Sequence, residues 1–436
     1  MVTMIPQREP VSKVVSDAIK KGDIYNTGIY KDTVGKYMGN AGLETVIRKL
    51  RSDKYNRVVF EMFPDAYLVG GYIRDSMIGK VSLDRDYVVN VSPLEAARVL
   101  KNKFKGTIVL FHDKGTVRIV LKNGFTLDFS KYGNSIEQDL CLRDFTVNSV
   151  GYSFRRGIID PLKGIKDIEH GRLRTLQKEN LVKDPLRCLR AHRFYSELGW
   201  KIDSSTRNSI ALARGHLSRV APERITFEFC RLLRGKHAEN ALKESLESGV
   251  LLQIIPNNIN VIRNNIDKMV EVKRFIKNLP DKIHKKMVRK LSQDLSAIDI
   301  ILLERILIGI EIELVRMKFS IVIMNRLKKA DQFLSKYNKK TNAADLFEYF
   351  YQAKEMIYDL VCLAGKRKLI EIADKFLYVM EHKMISAEEI MEMTSFKGEK
   401  VGQIIHEIRR ERFLGRIKTR KQTTQFVKKF MSEHHS

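Results

Sequence analysis

Two aspartates one residue apart stand in Leu83-Asp84-Arg85-Asp86-Tyr87, at the head of an apolar run. Alternate residues of a strand face the same way, so Asp84 and Asp86 can converge on one hard cation. Upstream, Leu68-Val69-Gly70-Gly71-Tyr72-Ile73-Arg74-Asp75 sets two glycines between a short apolar strand and a helix-like stretch. Without Cβ atoms, the backbone at Gly70 and Gly71 can approach a phosphate closely, and Arg74 adds a cation. Paired carboxylates completed by substrate phosphates are a usual way to hold Mg²⁺. Such ions can activate an attacking hydroxyl and clamp a leaving pyrophosphate. A lone Gly-Gly reads as a turn and a lone Asp-x-Asp as a solvated loop. Together, in this order, they point to chemistry at a phosphate.

Three further clusters follow. Asp128, in Thr126-Leu127-Asp128-Phe129, is a candidate third carboxylate, or a strand-end aspartate facing water. Arg143-Asp144-Phe145-Thr146-Val147-Asn148 could hold sugar hydroxyls or triphosphate oxygens through charge-assisted bonds. Taken alone, that run reads as a helix start with Asp144 as its N-cap. In Asp184-Pro185-Leu186-Arg187-Cys188-Leu189-Arg190-Ala191-His192-Arg193, Asp184 reads as an N-cap with Pro185 at the first helical position. Arg187, Arg190 and Arg193 share part of one helical face, usually a solvated arrangement. Arg187 lies one turn from Asp184, so the two could present forked donors and acceptors to a base edge. Pro222-Glu223-Arg224 opens a further helix, whose charges read as ion-pair braces between helices.

The elements around these residues divide the chain in two. Short β-rich runs at 66–69, 87–90, 107–111, 116–121 and 126–129 alternate with helical stretches at 42–51 and 93–103, as in an α/β unit with a small sheet. From about residue 184 apolar residues recur at three and four, through 261–278, 297–316, 321–337 and 344–362. A chain of 436 residues suggests about three domains. Its hydrophobic fraction of 44% and charged fraction of 30% exclude wholesale disorder. Lys and Arg number 79 against 52 Asp and Glu, a net charge of +27 that calls for a polyanionic partner, nucleic acid first. The last forty residues concentrate this charge. The most apolar run, 297–314, carries Asp299, Glu304, Glu311 and Glu313, so it reads as a buried helix and no membrane partner is expected. The four cysteines are scattered singly and the first residues lack an apolar signal core, which suits a reducing cytoplasm.

The runs LVGGYIRDSMIGKVSLDRDYVV, LRDFTVNSV, IDPLKGIKDIEHGRLRTL, DPLRCLRAHRF and ERITFEF, in this order across residues 66–229, resemble the bacterial and eukaryotic type of tRNA nucleotidyltransferase. That family also contains bacterial poly(A) polymerases. The tail run FKGEKVGQIIHEIRRERFLGRIKTR resembles the family's C-terminal segment more weakly. The resemblance implies an α/β plus all-α fold: a polymerase-β-type nucleotidyltransferase head with a small mixed sheet, then helical neck, body and tail. It places an extension at 1–34, the head at 35–155, a neck with a nucleotide-selecting pocket at 156–238, a body at 239–342 and a basic tail at 343–436. It implies Mg²⁺-dependent, template-independent addition of CMP and AMP, from CTP and ATP, to the 3′ end of tRNA.

By motif, Asp84 and Asp86 would be the metal ligands; Asp128, from its own strand run, is the candidate third catalytic carboxylate. Gly70, Gly71, Arg74 and Asp75 would lie by the triphosphate, and Arg143, Asp144 and Asn148 by the sugar and phosphates. Asp184 and Arg187 would read the incoming base, with Arg190 and Arg193 lining the same pocket. Arg409, Arg410, Arg412, Arg416, Lys418, Arg420 and Lys421 would grip the tRNA. Three departures stand out. Leu142 replaces the first arginine of the sugar motif, and Lys183 the glutamate that usually precedes Asp184. Only fourteen residues, 129–142, separate Asp128 from Arg143. Family members that complete CCA carry a longer loop there, so the short link resembles the CC-adding subset, with a sister enzyme adding the terminal A. The rival expectations are a poly(A) polymerase, an A-adding partial enzyme and a non-catalytic RNA-binding protein.

Overall fold

The computed structural model describes residues 40–111, 115–292, 295–338 and 340–433. The extension at 1–34 lies outside them. The chain forms two compact units. One runs through Ile259 and takes back Glu313–Lys318; the other comprises Asn260–Ile312 and the chain from Phe319 onward.

The first unit is built on a seven-stranded mixed sheet. Its strands are β1 (Tyr67–Val69), β2 (Asp84–Val89), β3 (Thr107–Phe111), β4 (Thr116–Val120), β5 (Thr126–Lys131), β6 (Gly151–Ser153) and β7 (Gly157–Ile159), in the order β3-β4-β5-β2-β1-β6-β7. The β2–β5 pair is parallel and the other pairs antiparallel. Strand alternation sorts β2 between two environments. Tyr87 stacks on Phe129, with ring centroids 5.4 Å apart, and its hydroxyl donates to the Asn56 side chain at 2.6 Å. Arg85, between the two aspartates, is buried against the rings of Tyr55, Tyr72 and Phe125 and ion-paired to Asp53 at 2.6 Å. Asp53 also caps the Lys54–Met62 helix, so Arg85 ties that helix to the sheet. The opposite face carries Asp84, Asp86 and Val88. Val88 joins a core of Val69, Ile136, Leu140 and Ile159. Strands β6 and β7, too short to show a period in the sequence, extend the sheet past β1.

One glycine fixes the neighbourhood of the 143–148 run. A Cβ at Gly164 would fall 2.1 Å from the Thr146 carbonyl oxygen, backbone that has no room to yield. Thr146 is itself held by the buried Asp167, to which its hydroxyl donates at 2.6 Å. Gly164→Ala is expected to cost about 2–3 kcal/mol of stability through overpacking, read as a lowered midpoint in denaturant. An unchanged midpoint would contradict this packing.

The Leu186–Leu198 helix packs against the Pro222–Arg234 and Ala238–Glu247 helices. The returning segment Glu313–Lys318 straps the Pro222–Arg234 helix. The Lys318 amide donates to Thr226 Oγ1 at 2.9 Å, the Lys318 ammonium pairs with Glu223 at 2.8 Å, and the Arg316 amide donates to the Ile254 carbonyl oxygen at 2.9 Å.

The second unit is almost entirely helical. Its Ala297–Leu307, Ile321–Lys336 and Ile357–Ala364 helices pack on one another. The run expected as one helix at 297–316 stops at Leu307, before Gly309, whose φ is +68°. The run expected at 344–362 is broken by a turn at Lys354–Met356. Within this unit Arg326 ion-pairs with the buried Asp359 beside Glu304, whose carboxyl burial and the Asp359 charge push well above the usual range. A smaller core of Ile390, Val401, Ile404, Ile408 and Val427 joins the last helices. Among the described residues no helix is long and apolar enough to cross a membrane.

Candidate active site

Parallel pairing sets Asp84 opposite Thr126 and Asp86 opposite Asp128. Thr126 donates its hydroxyl to the Asp84 carboxylate across the two strands. Asp128 is gripped from the next strand by Arg118, through two bonds of 2.6 and 2.7 Å. Asp86, half-buried, faces a cavity of about 380 Å³ lined also by Asp128, Arg118, Arg143, Phe111, Thr116 and Ser130. Burial, then the Asp128 charge, pushes the Asp86 carboxyl up to about 6, with Asp84 adding to the shift and Arg143 and Arg118 opposing it. Burial and like charges both disfavour the ionised form of a carboxyl.

Gly70 stands at the edge of the same space. Its φ is +80°, a conformation other residues rarely adopt, and a Cβ there would lie 3.1 Å from Asp86 Oδ2 and 3.2 Å from Arg143 Nη1. The missing side chain keeps open the gap between a carboxylate and a guanidinium. Arg143 is steadied by Asp139 at 3.0 Å, one turn back. Among the described residues no three His, Cys, Asp or Glu side chains converge as a finished metal cage. The donor set is nonetheless right for half of one. Asp84 and Asp86 offer hard oxygens from one strand face, and the remaining coordination would fall to phosphate oxygens and water.

A continuous polar chain backs this site. Arg74 is turned inward, paired to Asp75 at 2.7 Å and donating to Asn148 Oδ1 at 2.5 Å. Gly71 makes room for it: a Cβ there would lie 3.2 Å from Arg74 Nη2. Asn148 donates to Asp144 at 2.8 Å, and Asp144 accepts two bonds from Arg190 at 2.6 and 3.0 Å. Burial opposes the charge on Asp144, but the Arg190 guanidinium and the Asn148 amide hold its carboxyl well below the usual range. Arg190 also reaches Glu228 at 2.9 Å, and Glu228 meets Arg193 at 2.5 Å. Arg193 continues to Glu197 at 2.7 Å.

This arrangement revises several local readings. Asp144 caps no helix; it is the buried link between Asn148 and Arg190. Asp184 does not cap the Leu186–Leu198 helix either. Its carboxylate accepts from Arg224 at 3.1 and 3.2 Å, the expected brace between helices. Arg187 stands 4.0 Å from Asp184 and donates to the carbonyl oxygens of Leu142 and Arg143, at 2.9 and 3.1 Å. Arg193 keeps only 3% of its side chain exposed and so offers no open face to a nucleotide. In the second unit, Arg412 is buried and donates to the carbonyl oxygens of His382 and Val379, so it closes helix packing and gives no surface charge. Arg410 pairs with Glu407, Arg416 with Glu411 and Arg420 with Glu389. Arg409 is half-buried, and Lys418 and Lys421 are exposed.

Two charged side chains of this arrangement, Glu228 and Arg118, are not candidate site residues by sequence, although the helix that carries Glu228 was expected to supply ion-pair braces. Glu228 gave one signal: a charged residue on the apolar stripe of Ile225, Phe229 and Leu232 needs a buried partner. Arg118 gave none, because its pairing with Asp128 depends on strand register.

Residues 66–132 and 116–174 match the family of the "Poly A polymerase head domain". Residues 199–259 match the "Probable RNA and SrmB- binding site of polymerase A". A CC-adding tRNA nucleotidyltransferase of Synechocystis sp. is 37% identical over 193 residues, 43% of this chain and 46% of that protein. The CCA-adding enzyme of Bacillus subtilis is 31% identical over 206 residues, 44% of this chain and 52% of the relative. The chain thus spans about half the length of the curated relatives it matches. The Thermotoga maritima CCA-adding enzyme, solved in complex with tRNA, shares the fold with a TM-score of 0.69 at 20% identity, over 89% of this chain and 98% of that one.

Proposed function

We propose that this chain, whose residues 66–174 and 199–259 match the two polymerase A families, is a template-independent nucleotidyltransferase that adds CMP or AMP, from CTP or ATP, to the 3′ end of tRNA. The observation that carries this reading is the Asp84–Asp86 pair, set on one face of β2 beside the open gap at Gly70. In this reading Asp84 and Asp86 hold Mg²⁺, which when bound supplies Lewis-acid activation of the RNA 3′-hydroxyl and neutralises charge on the triphosphate. Arg143 Nη1, on the cavity wall, meets triphosphate oxygens with a charge-assisted bond. Arg118 holds Asp128 in place beside Asp86. In this reading the buried Asp144–Arg190–Glu228 chain holds the segment from Arg143 to Asn148 in place, so positioning supplies part of the acceleration. Asp184 and Arg187 choose the base, with Arg187 anchored on the Leu142 and Arg143 carbonyl oxygens. Arg409, Arg410, Arg416, Lys418, Arg420 and Lys421 supply a basic tail for the tRNA; a cytoplasmic site of action suits such a substrate.

A narrower reading, addition of CC alone, is favoured by the link between β5 and Arg143. This link is short and anchored. Ser135 accepts the Gln138 amide at 3.3 Å to start the Ile136–Cys141 helix, and Ile136 and Leu140 are in the core. In this reading the anchored helix does not rearrange the pocket between C and A, and the terminal A falls to a separate enzyme.

The test is a gel assay with the protein, Mg²⁺ and tRNA transcripts ending before CCA, after C and after CC, each offered CTP, ATP or both. Two C additions that stop are expected. Complete CCA would remove the narrower reading alone. Extension of arbitrary RNA with ATP only would make the protein a poly(A) polymerase, and no incorporation at all would sink the proposal.

A further inference from the structure

We infer that Phe227 is a stacking platform for an unpaired base of the RNA substrate, an inference that rests on the RNA-acting reading above. On the Pro222–Arg234 helix, Arg224, Phe227 and Arg231 fall at intervals of three and four and share one face. The Phe227 ring is 55% exposed, on a helix whose other large apolar side chains are buried. The Arg231 guanidinium lies 5.7 Å from its centroid. Both arginines are paired, Arg224 with Asp184 and Arg231 with Glu197, yet in each pair the arginine is the more exposed partner. Their side chains are 45% and 38% exposed, against 32% and 17% for the acids. This helix face therefore presents one exposed ring, with the Arg231 guanidinium over it and the Arg224 guanidinium one turn before it. An apolar protein partner asks for a contiguous patch. A single ring beside cations suits one nucleobase flanked by its phosphates.

The face also leads back to the cavity. Arg143 lines it, Arg187 donates to the Arg143 carbonyl oxygen at 3.1 Å, Asp184 stands 4.0 Å from Arg187, and Arg224 reaches Asp184 at 3.1 Å. Phe227 is one turn further on.

The experiment measures binding of a fluorescent RNA hairpin, with or without an unpaired 3′ tail, to the full chain by anisotropy. Wild type is expected to prefer the tailed hairpin. Phe227→Ala weakens tailed binding roughly ten-fold and leaves blunt binding and the melting temperature unchanged. Phe227→Trp retains the preference, and Phe227→Leu loses it as alanine does. No tail preference in wild type, alanine binding equal to wild type, or a leucine variant that holds the tail would each overturn the inference. The last result would mark an apolar protein-docking residue. Nucleotide incorporation is scored on the same samples. Tail binding through Phe227 without any incorporation would remove the enzymatic reading and leave this one standing. Incorporation with normal tail binding by the alanine variant would do the reverse.

Discussion

Asp86→Asn is expected to lower nucleotide incorporation at least a thousand-fold, about 4 kcal/mol of transition-state stabilisation, with RNA affinity retained. The substitution keeps the shape of a side chain on the cavity wall and removes only its charge. Asp86 lies across from Asp128 in register, and burial and that neighbouring charge already strain its ionised form. Neutralising it relieves repulsion among Asp84, Asp86 and Asp128, so the melting temperature should not fall. Loss of activity without loss of stability separates a working carboxylate from a packing residue. Single-turnover incorporation with saturating CTP, alongside RNA binding by anisotropy, is the measurement. Activity within ten-fold of wild type would end the assignment of Asp86.

Glu228→Ala should act in the opposite way, on the fold before the chemistry. The Glu228 side chain is 5% exposed and pairs with both Arg190 and Arg193. Its removal strips one partner from each of two arginines, and breaking such a pair costs about 3–5 kcal/mol when a buried charge is left uncompensated. Arg190 keeps Asp144 and Arg193 keeps Glu197, which brings the expectation to the low end, about 3 kcal/mol. At about 2–4 °C per kcal/mol for a unit of this size, that lowers the melting transition by roughly 10 °C. Glu228→Gln, which keeps the shape and an acceptor, should lie between alanine and wild type. A transition that does not move in either variant would show that Arg190 and Arg193 need no buried anion.

How much of this was legible in the sequence follows from the physics of each residue. The Asp84–Asp86 pair was legible because strand alternation alone puts both carboxylates on one face. Gly70 was legible because its sequence position, between strand and helix, demands a turn. Arg193 and Arg412 were less so, since a basic residue on a helix is usually solvated and only tertiary packing reveals the Glu228 carboxylate or the His382 carbonyl oxygen that buries it. Asp184 looked like a cap by type and spacing, but Arg224, forty residues on, competes for its carboxylate and wins. The helical runs at 297–316 and 344–362 were legible in place and misjudged in length, because Gly309 and the turn at Lys354–Met356 interrupt runs whose apolar period continues. The pairing of Arg118 with Asp128 needed a strand register that neither segment encodes by itself.

The strap at Glu313–Lys318 has a consequence for how the protein is made. The first unit is not finished when residue 259 leaves the ribosome, because the Pro222–Arg234 helix still lacks its bonds to Lys318. Those arrive roughly sixty residues later, several seconds at ordinary rates of synthesis. By then the intervening segment, which belongs to the second unit, has been extruded too. Unit one is thus closed by a late-made piece, and no single cut in the chain yields it whole. A truncation at residue 259 would leave the nascent helix bare at Thr226, one residue from Phe227.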